Sequence, residues 1–118
     1  MKIKILWSEY DFSYTPKLLD EEGGMCFGIC DNKDQKIRVE EIVSVDRKRV
    51  ATIHEVLHAL SYLNGLGLTE DQVQGISHQF YTVMLQNPEL ISHMVPHIEQ
   101  ENAKPFVDLQ ALYGRGSL

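Results

Sequence analysis

Two histidines four positions apart, with a glutamate directly after the first, form the most chemically informative segment of the chain. The segment reads His54-Glu55-Val56-Leu57-His58, a His-Glu-x-x-His motif. On a helix, residues four apart lie on one face with Cβ atoms roughly 6 Å apart, so both imidazoles can bind one tetrahedral ion. Glu55 lies about 100° around the helix from His54, within reach of a water molecule beside that ion. The motif therefore predicts a zinc site with His54 and His58 as ligands and Glu55 as general base.

The motif requires a helix, and the surrounding sequence predicts one for independent reasons. Apolar residues recur at helical spacing from about Asp46 to Leu63. Asp46 is the expected N-cap, and Asn64-Gly65 is expected to end the helix.

Two further helices are expected downstream. Thr69 and Gln72 have the spacing of a capping box, which predicts a helix from Thr69 to about Gln86. Asn87-Pro88 is an N-cap residue followed by proline at the first helical position, which predicts a third helix.

A catalytic zinc ion normally has three protein ligands and one water, so a further residue must complete the site. Ser61 and Asn64 occupy the positions at which a metzincin would have glycine and histidine, and that subclass is excluded. A carboxylate on the next helix, the gluzincin arrangement, points to Glu70. Asp71 and His78 are the alternatives.

Helical projection favours Glu70 over its two rivals. His54 lies about 80° from the centre of the apolar stripe on the first helix, and Glu70 lies about 80° from the corresponding stripe on the second. If the stripes pack together, Glu70 faces the histidines, whereas Asp71 and His78 project about 175° and 155° away from the stripe, towards solvent. The stripe residues are Val50, Ile53, Leu57 and Leu60 on the first helix and Val73, Ile76, Phe80 and Met84 on the second.

A second histidine pair, His93 and His97, has the same spacing as the motif. Met94 stands where the glutamate would be, and Pro96 is expected to end or kink the third helix. We therefore interpret this pair as surface residues.

The first 43 residues alternate between polar and apolar in the manner of strands. Ile3, Ile5 and Trp7 are expected on one face of the first strand. The segments Met25 to Asp31 and Lys36 to Val43 are expected to pair as a hairpin, since turn-forming residues separate them.

Strands followed by helices predict an α+β fold, with a small N-terminal antiparallel sheet of about three strands packed on two to three helices. We expect a single domain over residues 1–103 and a loosely attached C-terminal tail over residues 104–118.

Composition narrows the class of function. The 118 residues include 11 Lys and Arg against 17 Asp and Glu, a net charge of −6, which disfavours nucleic-acid binding. No apolar run is long enough for a membrane span or a signal peptide. Two cysteines, Cys26 and Cys30, suit a reducing compartment and are interpreted as small buried thiols, because a redox pair would have two intervening residues. A cytoplasmic protein is expected.

Three segments resemble small phage-encoded zinc metallopeptidases related to the ImmA/IrrE family: His54 to Leu60, Leu68 to Val73 and Asn87 to Leu90. The resemblance covers about residues 36–90. It implies a minimal zincin-like fold in a bacterial or phage-infected cell, with zinc held by His54, His58 and Glu70 and with Glu55 as the base.

The expected activity is zinc-dependent hydrolysis of peptide bonds in a peptide or protein substrate, through a zinc-activated water with Glu55 as general base. The alternative is a zinc-stabilised binding or assembly module without turnover. Two further expectations concern the substrate. Lys36 to Glu40, interpreted as an edge strand, could hold an extended peptide, and Tyr62 could stabilise the oxyanion unless it is simply a half-buried tyrosine.

Overall fold

Four strands are followed by three helices in the computed structural model, which describes residues 1–95. This order confirms the α+β class. The elements are β1 Lys2–Ile5, β2 Ser8–Thr15, β3 Gly28–Asp31, β4 Lys36–Glu40, α1 Val45–Asn64, α2 Glu70–Gln86 and α3 Pro88–Met94. No helix among these residues is long and apolar enough to cross a membrane.

The chain divides into two compact units after Val83. The sheet, α1 and most of α2 belong to Met1–Val83, and α3 belongs to the unit that starts at Met84. The expected tail over residues 104–118 lies outside the described residues, so the predicted domain boundary at 103 stays a prediction.

The sheet is mixed and has four strands in the order β1-β2-β4-β3, which corrects the expected antiparallel sheet of about three. The additional strand is β2, which pairs antiparallel with β1 and parallel with β4. Its parallel partner β4 is distant in sequence, so no local sequence pattern predicts that the two strands pair. The turn between β1 and β2 contains Trp7, which is 60% exposed and does not lie on the strand as expected.

The predicted hairpin of β3 and β4 is confirmed, but the expectation that Lys36 to Glu40 is an edge strand is wrong. β4 is paired on both sides, with β2 and with β3. The edge strands are therefore β1 and β3.

The core lies between one face of the sheet and α1. Two alanines, Ala51 and Ala59, lie two turns apart on the helix and are buried against the sheet, because small side chains allow a close approach. The strands contribute Ile5, Tyr10, Phe12, Ile37 and Val39.

Local capping signals define both ends of α1. The N-cap is Ser44, whose hydroxyl accepts a hydrogen bond from the Arg47 amide at 3.1 Å, and not Asp46 as expected. Asp46 instead accepts a hydrogen bond from Tyr81 and thereby links the start of α1 to α2. Gly65 ends the helix in the left-handed conformation at φ 62°, as the sequence indicates.

The buried face of α2 differs from its apolar stripe. Val73, Ser77 and Tyr81 are buried, whereas Ile76 and Phe80 are 41% and 44% exposed. Two polar residues tolerate burial here because their hydroxyls are satisfied: Ser77 donates to the carbonyl of Val73 at 2.6 Å, and Tyr81 donates to Asp46. The buried face is therefore rotated by about 60° from the predicted one.

A buried carboxylate fastens the loop that leads from β2 to β3. Glu40 is 4% exposed, and its oxygens accept hydrogen bonds from the amides of Lys17, Leu18 and Ile42 at 3.1, 2.7 and 3.0 Å. These hydrogen bonds, led by the one from Ile42, lower the pKa of Glu40 below its ordinary value of 4.5.

We predict that Glu40→Gln lowers the melting temperature at neutral pH, because an amide replaces one acceptor oxygen with a donor. A lowered folded-state pKa gives stability that is present above the unfolded-state value and is lost as pH falls through the folded value. Thermal unfolding between pH 7 and pH 3 should therefore show a smaller acid loss in Glu40→Gln than in wild type. Glu41→Gln, at the exposed neighbouring position, should behave as wild type. Equal acid losses in all three proteins would contradict the assignment.

Candidate metal centre

The two motif histidines point their ring nitrogens at a common position. His54 and His58 lie one turn apart on α1, with ring centroids 4.8 Å apart and Nε2 atoms 3.1 Å apart. Both side chains are largely shielded, at 13% and 26% exposure. Burial lowers the pKa of His54, which keeps its imidazole neutral and its lone pair available to a metal.

Glu70, the first residue of α2, contacts each of the two histidines with a different carboxylate oxygen. Its Oε1 lies 2.6 Å from His54 Nε2, and its Oε2 lies 3.0 Å from His58 Nε2. The sequence-based choice of Glu70 thus corresponds to a carboxylate that contacts both imidazoles.

The turn between α1 and α2 places Glu70 beside His54 and His58 of α1. After Gly65, the Leu68 amide donates to the hydroxyl of buried Ser61 at 3.0 Å. The predicted capping box is confirmed: Thr69 and Gln72 each accept a hydrogen bond from the other's amide, at 3.1 and 2.9 Å. These contacts fix the first turn of α2 and with it the carboxylate.

The donor set fits a small divalent cation. The two Nε2 atoms lie 3.1 Å apart, and each lies 2.6 or 3.0 Å from one oxygen of Glu70. These distances approach the separation of about 3.3 Å between neighbouring ligand atoms of a tetrahedral zinc ion at bond lengths near 2.0–2.1 Å. Neutral imidazole nitrogens and a carboxylate are the ligand types of such sites. His54, His58 and Glu70 could therefore hold one metal ion.

Glu55 lies beside these three residues but on the sheet side of α1. It is 6% exposed, and burial, with a smaller contribution from the Glu70 charge, raises its pKa to about 8. Its carboxylate and the nitrogens of His54 and His58 all lie within 4.8 Å of one another. A water molecule next to a bound cation would be within its reach.

Gly28, at the start of β3, makes room for Glu55. A Cβ atom at position 28 would lie 2.6 Å from Glu55 Oε2, closer than side-chain atoms can approach without displacement. Sequence reasoning missed this role, because a glycine in a short strand does not show which side chain approaches it. The strand assignment was the available signal, since glycine in a strand often marks a close contact.

The rival ligands occupy different environments. Asp71 is exposed, as expected. His78 is half-buried and lines the cavity beside His54 and Glu70, so the expectation that it faces solvent is wrong; the rotated buried face of α2 brings it inward. Its Nδ1 lies 3.0 Å from the Gln74 carbonyl.

The other candidates named from the sequence are Tyr62, the second histidine pair and the cysteines. Tyr62 is 62% exposed, and it is not among the described residues that line the two cavities beside the centre. His93 is exposed at the end of α3, whereas His97 lies outside the described residues. Cys30 is a half-buried free thiol whose pKa burial raises to about 12, which makes it unreactive.

Two cavities share Gly28, His54, Glu55 and Glu70 in their walls, and His58 lines the larger one. One, of about 230 Å³, extends along α1 towards its first turn, between Cys26–Gly28 and the α2 residues Gln74 and His78. The other, of about 440 Å³, extends along β3 and is bordered by the acidic segment 20–22. The candidate centre therefore lies in the middle of an open cleft.

Comparisons with protein-family models, with curated proteins and with solved structures give no match. We therefore infer the function from the geometry of the centre.

We predict that Glu70→Gln weakens zinc binding by about 10–100-fold or more, because the loss of a direct ligand should cost no less than the loss of a residue that supports one. Competition against a chromophoric chelator measures this affinity. Asp71→Asn removes the same charge from the same helical turn and should bind zinc as wild type does. Zinc should also raise the melting temperature of wild type but not of Glu70→Gln, and equal affinities in the two variants would exclude Glu70 as a ligand.

Proposed function

We propose that this protein is a zinc-dependent metallopeptidase with His54, His58 and Glu70 as metal ligands and Glu55 as general base. The observation that carries the proposal is the position of the buried Glu55 side chain in a cleft, beside two imidazoles that both contact the carboxylate of Glu70. A bound zinc ion supplies Lewis acidity, which polarises the scissile carbonyl and acidifies a water molecule.

Glu55 performs the proton transfers of the reaction. A cation held by the neighbouring ligands would favour the ionised form of Glu55. The carboxylate then accepts a proton from the attacking water and passes it to the nitrogen of the leaving amine. The close contact with Gly28 and the packing of α1 against the sheet hold the carboxylate in place without a flexible loop. Such pre-positioning is what general-base catalysis requires of a protein scaffold.

The substrate peptide binds in extended form along β3. This strand pairs with β4 on one side only, and its residues Gly28, Ile29 and Cys30 border the cleft next to Glu55. An extended peptide can add to such an edge through main-chain hydrogen bonds. The role expected for Lys36 to Glu40 thus passes to β3, because β4 has no open edge.

The second candidate function is a zinc-stabilised binding or assembly module. The link between Glu70 and the two histidines favours it, because a metal held there would stabilise the packing of α1 against α2 without any turnover. Both candidates are proposed to act in the cytoplasm of a bacterial or phage-infected cell, on a peptide or protein and not on nucleic acid.

The two functions differ in what they require of Glu55. We predict that Glu55→Gln lowers the rate of zinc-dependent peptide hydrolysis by about 10²–10⁴-fold, because the amide cannot accept the proton. Zinc affinity should stay within the range of wild type. The assay incubates zinc-loaded protein with a peptide library of defined sequences and locates cleaved bonds by mass spectrometry. Glu9→Gln, exposed on β2, is the matched control. Unchanged hydrolysis in Glu55→Gln would exclude the proposed base, and zinc binding without hydrolysis in wild type would favour the binding module.

A glycine substitution tests the placement of the same carboxylate. We predict that Gly28→Ala lowers kcat by about 10–100-fold while zinc affinity is retained, since the new methyl group displaces Glu55 and not the ligands. Gly75→Ala on α2 introduces a methyl group with no atom within 4 Å and serves as the control. A Gly28→Ala protein with wild-type kcat would show that the position of Glu55 is not critical.

A further inference from the structure

A positively charged side chain, that of Arg47, lines the smaller cavity two helical turns from the candidate metal centre. Arg47 precedes His54 by seven residues, about 10 Å along the axis of α1 and on nearly the same side of the helix. Val50 and Ala51 of α1 and Phe27 of the preceding loop line the same cavity. Its walls are thus largely apolar, and its volume of about 230 Å³ is suited to a single side chain.

The guanidinium of Arg47 is held in position without being neutralised. Its central carbon lies 4.5 Å from the centroid of the Phe27 ring. Lys2 forms an ion pair with Asp11, and Glu70 contacts the two motif histidines; no ion pair within residues 1–95 includes Arg47. Stacking occupies the face of a guanidinium and leaves the donors along its edge available. A half-buried cation of this kind attracts a carboxylate, which can accept two parallel hydrogen bonds from it.

The opposite half of the cleft has the opposite charge. Asp20, Glu21 and Glu22 border the larger cavity, and this cavity shares Gly28, His54, Glu55 and Glu70 with the smaller one. A negatively charged group on the substrate is repelled from the acidic side and attracted to the side of Arg47. The charge distribution therefore supports a single direction for a bound peptide.

We propose that Arg47 binds a carboxylate of the substrate that lies immediately beside the scissile bond, and this proposal rests on the proposed peptidase function. The carboxylate comes either from an acidic side chain or from the free C-terminus of a short peptide. Both present the same planar anion to the guanidinium, while the apolar walls contact the carbon atoms that carry it.

The test varies the residue on each side of the bond located by the library assay. Matched peptides have Glu, Gln or Lys at that position and end in either a free or an amidated C-terminus. Hydrolysis is measured with wild-type protein, and binding is measured by fluorescence anisotropy with zinc-loaded Glu55→Gln protein and eight-residue labelled peptides from the same library. We expect about a tenfold or greater preference for Glu over Gln, or for the free over the amidated C-terminus, in KM and in binding.

Two variants of Arg47 and a control variant of Lys48 test whether Arg47 causes this preference. Arg47→Ala should abolish the preference while zinc affinity is retained, and Arg47→Glu should favour the Lys peptide. Lys48→Glu makes the same charge change one residue further on, where the ammonium lies over the Tyr14 ring, and it should keep the wild-type preference.

The outcomes separate the two proposals. Cleavage with no preference for a carboxylate, or a preference that survives Arg47→Ala, would overturn the role of Arg47 and leave the peptidase standing. Binding of carboxylate peptides that depends on Arg47, without cleavage by wild type, would support the carboxylate site and contradict the peptidase. A preference for Glu over Gln identifies the bound carboxylate as a side chain, and a preference for the free over the amidated peptide identifies it as the C-terminus.

Discussion

The contact of one carboxylate with two imidazoles is the constraint on which the rest of the structure depends. Glu70 lies within 3.0 Å of the Nε2 atoms of both His54 and His58, and those atoms lie 3.1 Å from each other. This arrangement requires α2 to begin at one height along α1 and no other. The left-handed Gly65, the Ser61 hydroxyl that receives the Leu68 amide, and the capping box after it are local solutions to that requirement.

The sheet side of α1 has a different constraint. Ala51 and Ala59 bring the helix close to the sheet, and Glu55, which lies between them, is buried as a result. Burying a carboxylate has a free-energy cost, which the raised pKa of Glu55 expresses. Gly28 lessens the steric part of that cost by providing space for the side chain. A carboxyl group that is costly to bury and nevertheless lies beside three candidate metal ligands is characteristic of a functional site.

Sequence reasoning succeeded where the signals are local. The capping box of α2, the end of α1 and the hairpin of β3 and β4 depend on residues a few positions apart, and each was predicted. The order of the sheet depends on the parallel pairing of β2 with β4, which no short segment encodes. The face of α2 was predicted from apolarity alone, and this failed because Ser77 and Tyr81 satisfy their hydroxyls when buried while Phe80 is exposed. The prediction that Glu70 faces the histidines was still correct. Glu70 is the first residue of α2, and there the short connection to α1 limits the position of the side chain more than the rotation of the helix does.

The loop from β2 to β3 links stability to the chemistry of the cleft. The amides of Lys17 and Leu18 anchor this loop to the carboxylate of Glu40, and the amide of Ile42 anchors the chain after β4 to the same group. Glu40 lies at the end of the sheet opposite the turn between β1 and β2. The same loop supplies the acidic border at residues 20–22 and the Phe27 ring on which Arg47 stacks. A net charge of −6 therefore describes the cleft poorly, since its two halves differ in sign on either side of Glu55. Because electrostatic attraction acts before close contact is made, this difference can orient an approaching peptide before β3 pairs with it.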